Sequence, residues 1–348
     1  MNRVMNRATS RALPPLGALF RYAACFAPSA AVLVFVQAGS AAIFLPALLI
    51  IFVLADAAFG LAPRTTAAAP SLLLCRVLPW LYIPLQLGLI GWGAAVTRGM
   101  ATGQLVLVAV DIGVTSGIFG MLAAHEMMHS RSAAERGLGL AMLAAVGYGH
   151  FRIAHIHIHH RLAATLADSA TARRGEGVYR FILRSIAGQW RDACAYEQRR
   201  AAKKPHPWLA NRIYRDALGS LALAVLLATA LGGRALVFAA IHGAVAVFVL
   251  ELFNYIAHYG LLRRVLPDGR VEPLGPRHSW NARQRFTNWT LFNSGRHSDH
   301  HRRPVERYPR LQNCVDELLL PAGYPLTFCL ALVPPLWRKI MDPRLAEV

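Results

Sequence analysis

The 348-residue sequence is short of charge, and shorter still of acids. Only 16% of its residues are charged, 18 Asp and Glu against 37 Lys and Arg, while 55% are hydrophobic. With a mean hydropathy of +0.37, this excludes an ordinary soluble globule, whose core cannot absorb so much apolar sequence, and points to a bilayer as solvent. Cysteine is sparse as well. Cys25, Cys75, Cys194, Cys314 and Cys329 stand singly, with no Cys-x-x-Cys pair, which excludes a disulfide framework and a four-cysteine iron or zinc-ribbon module within this sequence. The mixed, basic first 20 residues lack a small-residue cleavage site, so a signal peptide is not expected. Internal repeats and low-complexity tracts are lacking too.

What is present is a series of long apolar runs. About 20 such residues cross a bilayer, and six segments qualify: Tyr22–Gly39, Ala41–Leu61, Val77–Val96, Gln104–Ala124, Ala217–Leu231 and Ala235–Ala257. The fifth is the shortest. Two further runs are expected at the membrane surface: Leu138–Gly149 is too short to span, and Gly323–Leu336 is broken by Pro334 and Pro335. The predicted fold is an all-α integral membrane protein, with about six transmembrane helices and a cytoplasmic histidine-rich helical cap.

Basic residues set the orientation. With the N-terminus inside, the outward loops lie around Ser40, Arg98–Gly103 and Gly232–Arg234. They hold two basic residues, Arg98 and Arg234, which leaves 35 of the 37 for the N-terminal arm, the short loop near Arg64, and the segments 125–216 and 258–348. Both termini are therefore expected in the cytoplasm, in the inner membrane of a bacterium, and the net charge of +19 calls for no nucleic acid as partner. The chain reads as one functional domain in four stretches: an arm and four spans over 1–124, an inner segment over 125–216, two spans over 217–257, and a second inner segment over 258–348.

The two inner segments hold most of the 14 histidines. His125 and His129, in His-Glu-Met-Met-His, end the fourth span; positions i and i+4 share a helix face and can reach one metal. His155 and His159 share a face likewise, while His160, further round the helix, can serve a second ion. His258 sits where the sixth span ends. His297, His300 and His301 stand at i, i+3 and i+4. A lone His-x-x-x-His pair also occurs in zinc proteases, but a protease site would leave most of these histidines idle. Nine imidazoles exceed the roughly six positions of one octahedral ion, so two metals are implied, with about three positions left open. Imidazole suits iron, zinc and copper alike. His157 points elsewhere on its helix, and His150, His206, His242 and His278 are read as structural or interfacial.

The strings HEMMH (125–129), HIHIHH (155–160), NYIAHYGL (254–261) and RHSDHH (296–301) together resemble the membrane alkane hydroxylase family. That family includes methyl-aromatic hydroxylases and is a cousin of the membrane fatty-acid desaturases. The likeness extends to TARRGEGVYRF (171–181), HSWN (278–281) and GYPLTFCLALVPPLWRKIMDPR (323–344), and covers most of residues 120–345. It implies that His125, His129, His155, His159, His160, His258, His297, His300 and His301 hold two iron ions facing a hydrophobic channel. It further implies an O₂-dependent monooxygenase acting on a terminal or benzylic methyl group of an oily substrate, fed by rubredoxin or ferredoxin and a reductase. The separate HYG element favours hydroxylase over desaturase, which is the alternative. The sequence departs from the family's usual pattern at Ala154 and Ala257, where glutamates are usual, at Ser130, and at Ser294-Gly295 before the third box.

Ligand histidines usually donate their second ring N–H to an acid or carbonyl. Glu251, seven residues before His258 in an apolar span, is the first candidate. Asp168 and Asp299 are others, and Glu126 is either such an acid or part of an inner salt network. Arg173, Arg174, Arg199, Arg200, Lys203 and Lys204 form a basic surface suited to an acidic electron carrier or to anionic lipid.

Overall fold

A computed structural model describes residues 20–63 and 72–346. The loop around Arg64 and the N-terminal arm lie outside the described residues. Among the described residues six helices are long and apolar enough to cross a membrane: Phe20–Gln37, Ala41–Phe59, Arg76–Gly99, Thr102–Met128, Arg212–Leu231 and Gly233–His258. Each contains most of the corresponding apolar run in the sequence. The fifth, the shortest as sequence, gains its first turn because Asn211 caps it: the Asn211 side chain accepts from the Ile213 amide at 2.9 Å, so the helix starts in polar sequence at Arg212.

Their regular parts are α1 (Phe26–Gln37), α2 (Ala41–Phe59), α3 (Leu72–Val96), α4 (Thr102–Thr115) and α5 (Met121–Met128), the last two joined by a π-helical turn over Ser116–Gly120. A short helix α6 (Ala133–Ala145) follows, then α7 (Val178–Ala201), the spans α8 (Arg212–Leu231) and α9 (Gly233–His258), and the small helices α10 (Arg285–Thr290), α11 (His297–Arg302), α12 (Tyr324–Ala331) and α13 (Pro334–Leu345). The described strand is minimal: β1 (Trp280–Asn281) pairs in parallel with β2 (Leu318–Leu319). The Gly323–Leu336 run becomes two helices, interrupted at Leu332–Val333 where Pro334 opens the next one.

The fourth span is the central one. Of its most apolar stretch 72% is buried, against 17% for the second span and 11% for the fifth, which therefore face lipid. It meets α9 along a seam of small residues. A Cβ on Gly113 would lie 2.7 Å from the Val245 side chain, and one on Gly117 2.8 Å from the Ala246 carbonyl oxygen. Glycine here lets two backbones approach closely, as in other membrane helix pairs; packing, not room for a ligand, explains these two small residues. The α4–α5 and α9 spans run in the same direction, so their C-terminal ends deliver His125 and His258 to the same end of the bundle.

Candidate metal centre

Four local structures present the nine histidines. His125 lies on the last turn of α5 and His129 caps it. His155 to His159 form a π-helical turn, His258 ends α9, and His297, His300 and His301 lie on α11. The end of α9 is locked in place. The Tyr259 hydroxyl donates to Asp342 at 2.7 Å and accepts from the Gly175 amide at 2.9 Å. The Tyr259 carbonyl accepts from the Trp280 indole at 2.9 Å. Gly260 then turns the chain away at φ +72°, where a Cβ would strike Leu345.

The nine side chains converge in two groups: His125, His129, His155, His160 and His300 in one, and His159, His258, His297 and His301 in the other. Within each group one possible ligand atom per residue lies within 4.8 Å of all the others. This corrects the reading of the second box. In a π-helix the backbone bonds run i to i+5, so His155 and His160 meet edge to face on one side and His159 turns to the other group. The third box divides too, His297 and His301 from His300, although all three lie within about one helical turn.

The spacing of the ring nitrogens fits metal ligation. Nε2 pairs lie 2.8 Å apart in His125–His155, 3.0 Å in His155–His160 and in His258–His297, 3.1 Å in His297–His301, and 3.2 Å in His129–His160 and His160–His300. Donors about 2.1 Å from an ion and at right angles to one another lie about 3.0 Å apart, whereas tetrahedral ones lie about 3.4 Å apart. His160 Nε2 faces three other Nε2 atoms, and a ring nitrogen carrying at most one proton cannot satisfy three neighbours of its own kind. A shared cation satisfies all of them. Burial, reinforced by neighbouring imidazoles, pushes His129, His155, His160, His297, His300 and His301 well below the ordinary histidine range, which keeps them in the neutral, metal-binding form.

Of the four candidate acids, Asp168 alone hydrogen-bonds a clustered histidine among the described residues. It meets His159 Nδ1 at 2.8 Å and accepts from the Thr171 hydroxyl at 2.7 Å and the Ala170 amide at 3.1 Å. Burial would raise this carboxyl, but the imidazole and the hydrogen bonds outweigh it and hold the group below its usual range. With Nδ1 on Asp168, the buried His159 Nε2, which has no hydrogen-bond partner among the described residues, is left to aim at its group. Asp299 instead pairs with Arg303 and accepts from the Gln312 amide at 2.8 Å. Glu126 joins a salt network: Arg307 reaches Glu126 at 3.3 Å and also Glu135, which Arg76 holds from the other side at 2.8 Å. Glu251 shares a face with His258, but seven residues of helix separate them by about 10 Å along the axis. Its Oε1 accepts from Tyr148 at 3.0 Å, Gln189 at 2.9 Å and Asn254 at 3.2 Å.

The other histidines lie outside both groups. His157 stacks on Tyr196, His150 packs against Tyr148 and Trp190, His242 meets Ser116 at 2.8 Å, and His278 bridges Glu272 and the Gly275 amide. Asn254 was not singled out from the sequence. It stands one turn before His258 on the same face of the span.

Two cavities approach the clusters. One of about 50 Å³ is walled by His125, His155, His297 and His300, by Glu126, Asn254 and Ser294, and by apolar side chains such as Leu250, Phe253 and Phe292. The other, of about 370 Å³, reaches the rings of His129 and His160 between Arg136, Arg152 and Arg212.

A bundle of membrane-spanning helices that carries two polyhistidine clusters at one end defines a class of membrane metalloenzyme. The fatty acid desaturase family pattern matches residues 100–328. Alkane 1-monooxygenase of Pseudomonas putida is 37% identical over 277 residues, covering 78% of this chain and 68% of that protein. Alkane 1-monooxygenase 1 of Pseudomonas aeruginosa is 38% identical over 269 residues, 75% of this chain and 70% of that protein. The xylene/toluene monooxygenase hydroxylase component XylM of Pseudomonas putida is 30% identical over 282 residues, 77% and 73% of the two chains. The chain belongs to the alkane 1-monooxygenase family, within the wider fatty acid desaturase-like group, and is a membrane monooxygenase.

Proposed function

We propose that this protein hydroxylates a terminal or benzylic methyl group of a hydrophobic, alkane-like substrate, using two irons held by the nine histidines. The group of five would take one ion and the group of four the other, leaving about three positions open on two octahedral ions. Bound iron supplies the reduction of O₂ and the attack on the C–H bond. The overall balance is RH + O₂ + 2e⁻ + 2H⁺ → ROH + H₂O, so an electron donor is required.

The observation that carries this reading is the cavity whose walls are histidine on one side and hydrocarbon on the other. Next to it, between α2, α4, α9 and α12, lies an apolar pocket of about 380 Å³, lined by residues such as Leu48, Phe52, Ile118, Val249 and Phe328. The consecutive pairs Leu252–Phe253 and Leu291–Phe292 each place one residue in the pocket wall and the next in the cavity wall. An oily chain seated in the pocket would lie beside the histidine cavity, and the protein's share of the chemistry is to aim one carbon and exclude water.

For electrons we infer a separate rubredoxin or ferredoxin with its reductase, docking at the cytoplasmic face. The basic cleft at His129 and His160 supports this, since an acidic carrier seated there reaches ring edges of the cluster directly. Arg212 in that cleft shares Glu197 with Arg200, which links it to exposed Arg199, Lys203 and Lys204. Arg173 and Arg174, also exposed, lie elsewhere in sequence, before α7. Docking weakens as salt rises.

The test is reconstitution with a reductase, a carrier and ¹⁸O₂ on a panel of alkanes, methyl-aromatics and fatty acyl chains. The expected product is an alcohol carrying one labelled oxygen. An alkene without label assigns the chain to desaturation instead.

A further inference from the structure

Glu251 is fully buried in a span whose neighbouring residues are apolar, and no cation pairs with it among the described residues. An ionisable group at that depth marks function more often than packing. Its Oε1 collects three donors: the Tyr148 hydroxyl, the Gln189 amide and the Asn254 amide. That oxygen is an acceptor whether the carboxyl is ionised or protonated on Oε2, so the arrangement holds in either state. It fixes Asn254, because the reverse amide orientation would set oxygen against oxygen. With Nδ2 committed to Glu251, Oδ1 is the atom that Asn254 offers to the cavity it lines beside His125, His155, His297 and His300. Ser294, also in that wall, spends its one proton on the Leu291 carbonyl at 2.6 Å, so like Asn254 it can only accept there. Glu126 is held by Arg307.

We propose that Asn254 is the hydrogen-bond acceptor for an O–H donor in the cavity, water or the product alcohol, and that Glu251 is its positioning residue. A cavity of about 50 Å³ takes a chain end with its new hydroxyl, or a few water-sized molecules. Set between the histidine side of the wall and its apolar side chains, one correctly turned carbonyl distinguishes a C–OH end from a C–H end. This inference rests on the monooxygenase reading of the cavity.

The test uses the full-length protein in lipid nanodiscs, with n-octane and 1-octanol as probes. Binding is measured without turnover, on metal-loaded and metal-free protein, and product formed per O₂ consumed is measured separately. Wild type is expected to favour octanol over octane. Asn254→Leu should lower that ratio about three- to tenfold, the worth of one neutral hydrogen bond, with octane affinity and iron content unchanged. Glu251→Met should reproduce the loss, whereas Glu251→Gln, which keeps an acceptor at the same place, should retain the wild-type ratio. If water is the donor instead, the octanol ratio stays put and Asn254→Leu and Glu251→Met consume O₂ with less product, again rescued in Glu251→Gln. Should Asn254→Leu not fold, the two Glu251 variants decide alone. The proposal is overturned if neither the ratio nor the coupling moves, or if Glu251→Gln behaves as Glu251→Met. Wild-type protein that neither binds nor oxidises any hydrocarbon overturns the monooxygenase reading itself, a separate result.

Discussion

At the scale of single residues, the histidines follow a division of labour that metal content can measure. Full-length protein purified with iron is expected to hold close to two irons per chain. His300→Ala opens the five-membered group and should lose activity and part of the iron, while His206→Ala, at an exposed position, should keep both. Equal loss from the two would mean the ligand set is wrong. Asp168→Asn keeps a hydrogen-bonding group of similar shape but removes the anion that orients His159; metal affinity should fall about 10- to 100-fold. Acid should act on the same groups. Six clustered histidines outside the spans are held below their ordinary range, so between that depressed value and about pH 6.5 the unfolded chain binds more protons than the folded one. Stability then rises with pH through this window and is lost as pH falls through it. Metal-free protein should melt at a lower temperature at pH 5.5 than at pH 7.5, and a flat profile would contradict the burial of these rings. The nine histidines that converge stood out in the sequence because three groups repeat an i, i+4 spacing and the fourth, His258, ends a span. Their division between the two groups did not, because α-helical geometry assigns His159 to the side of His155, and only the π-turn reverses that.

At the scale of elements, the spans were readable because hydropathy is a property of composition, and each helix contains most of its expected run. What composition could not supply was the role of small residues. Small residues such as Gly113 and Gly117 leave room for a chain but more often mark helix packing; in the structure the contact between the fourth and sixth spans consumes both. Gly117→Val is therefore expected to force α9 away from the π-turn that precedes His125. Overpacking of this kind costs about 1–3 kcal/mol. Since α9 ends in His258, the variant should show both a lower melting temperature and reduced iron in the group containing His258. The comparison is Gly88→Val, where a Cβ meets nothing within 4 Å and neither quantity should change. The reach of Glu251 was likewise misjudged from sequence: a shared helical face says nothing about the two turns of axial distance that separate it from His258.

At the scale of the whole molecule, the remaining question is which side of the membrane the clusters occupy. We propose the cytoplasmic side: of 37 basic residues, the loops assigned outward hold only Arg98 and Arg234, and the positive-inside bias is counted over just such loops near span ends. Arg234 is further tied down, donating to the Met100 carbonyl at 2.6 Å, which joins these two loops to each other. The helical directions add an independent constraint. His125 and His258 both stand at the ends of spans running the same way, so one assignment places every clustered histidine on one side, where a soluble electron carrier and its reductase would reach them. Reporter fusions after Gly103 and Gly232 should therefore read periplasmic, and fusions after Ala170 and Asp268 cytoplasmic. A periplasmic signal at Asp268 would break the argument at its centre. It would put His297, His300 and His301 across the bilayer from His125, and the contacts of His300 with His125 and of His160 with His301 could not exist.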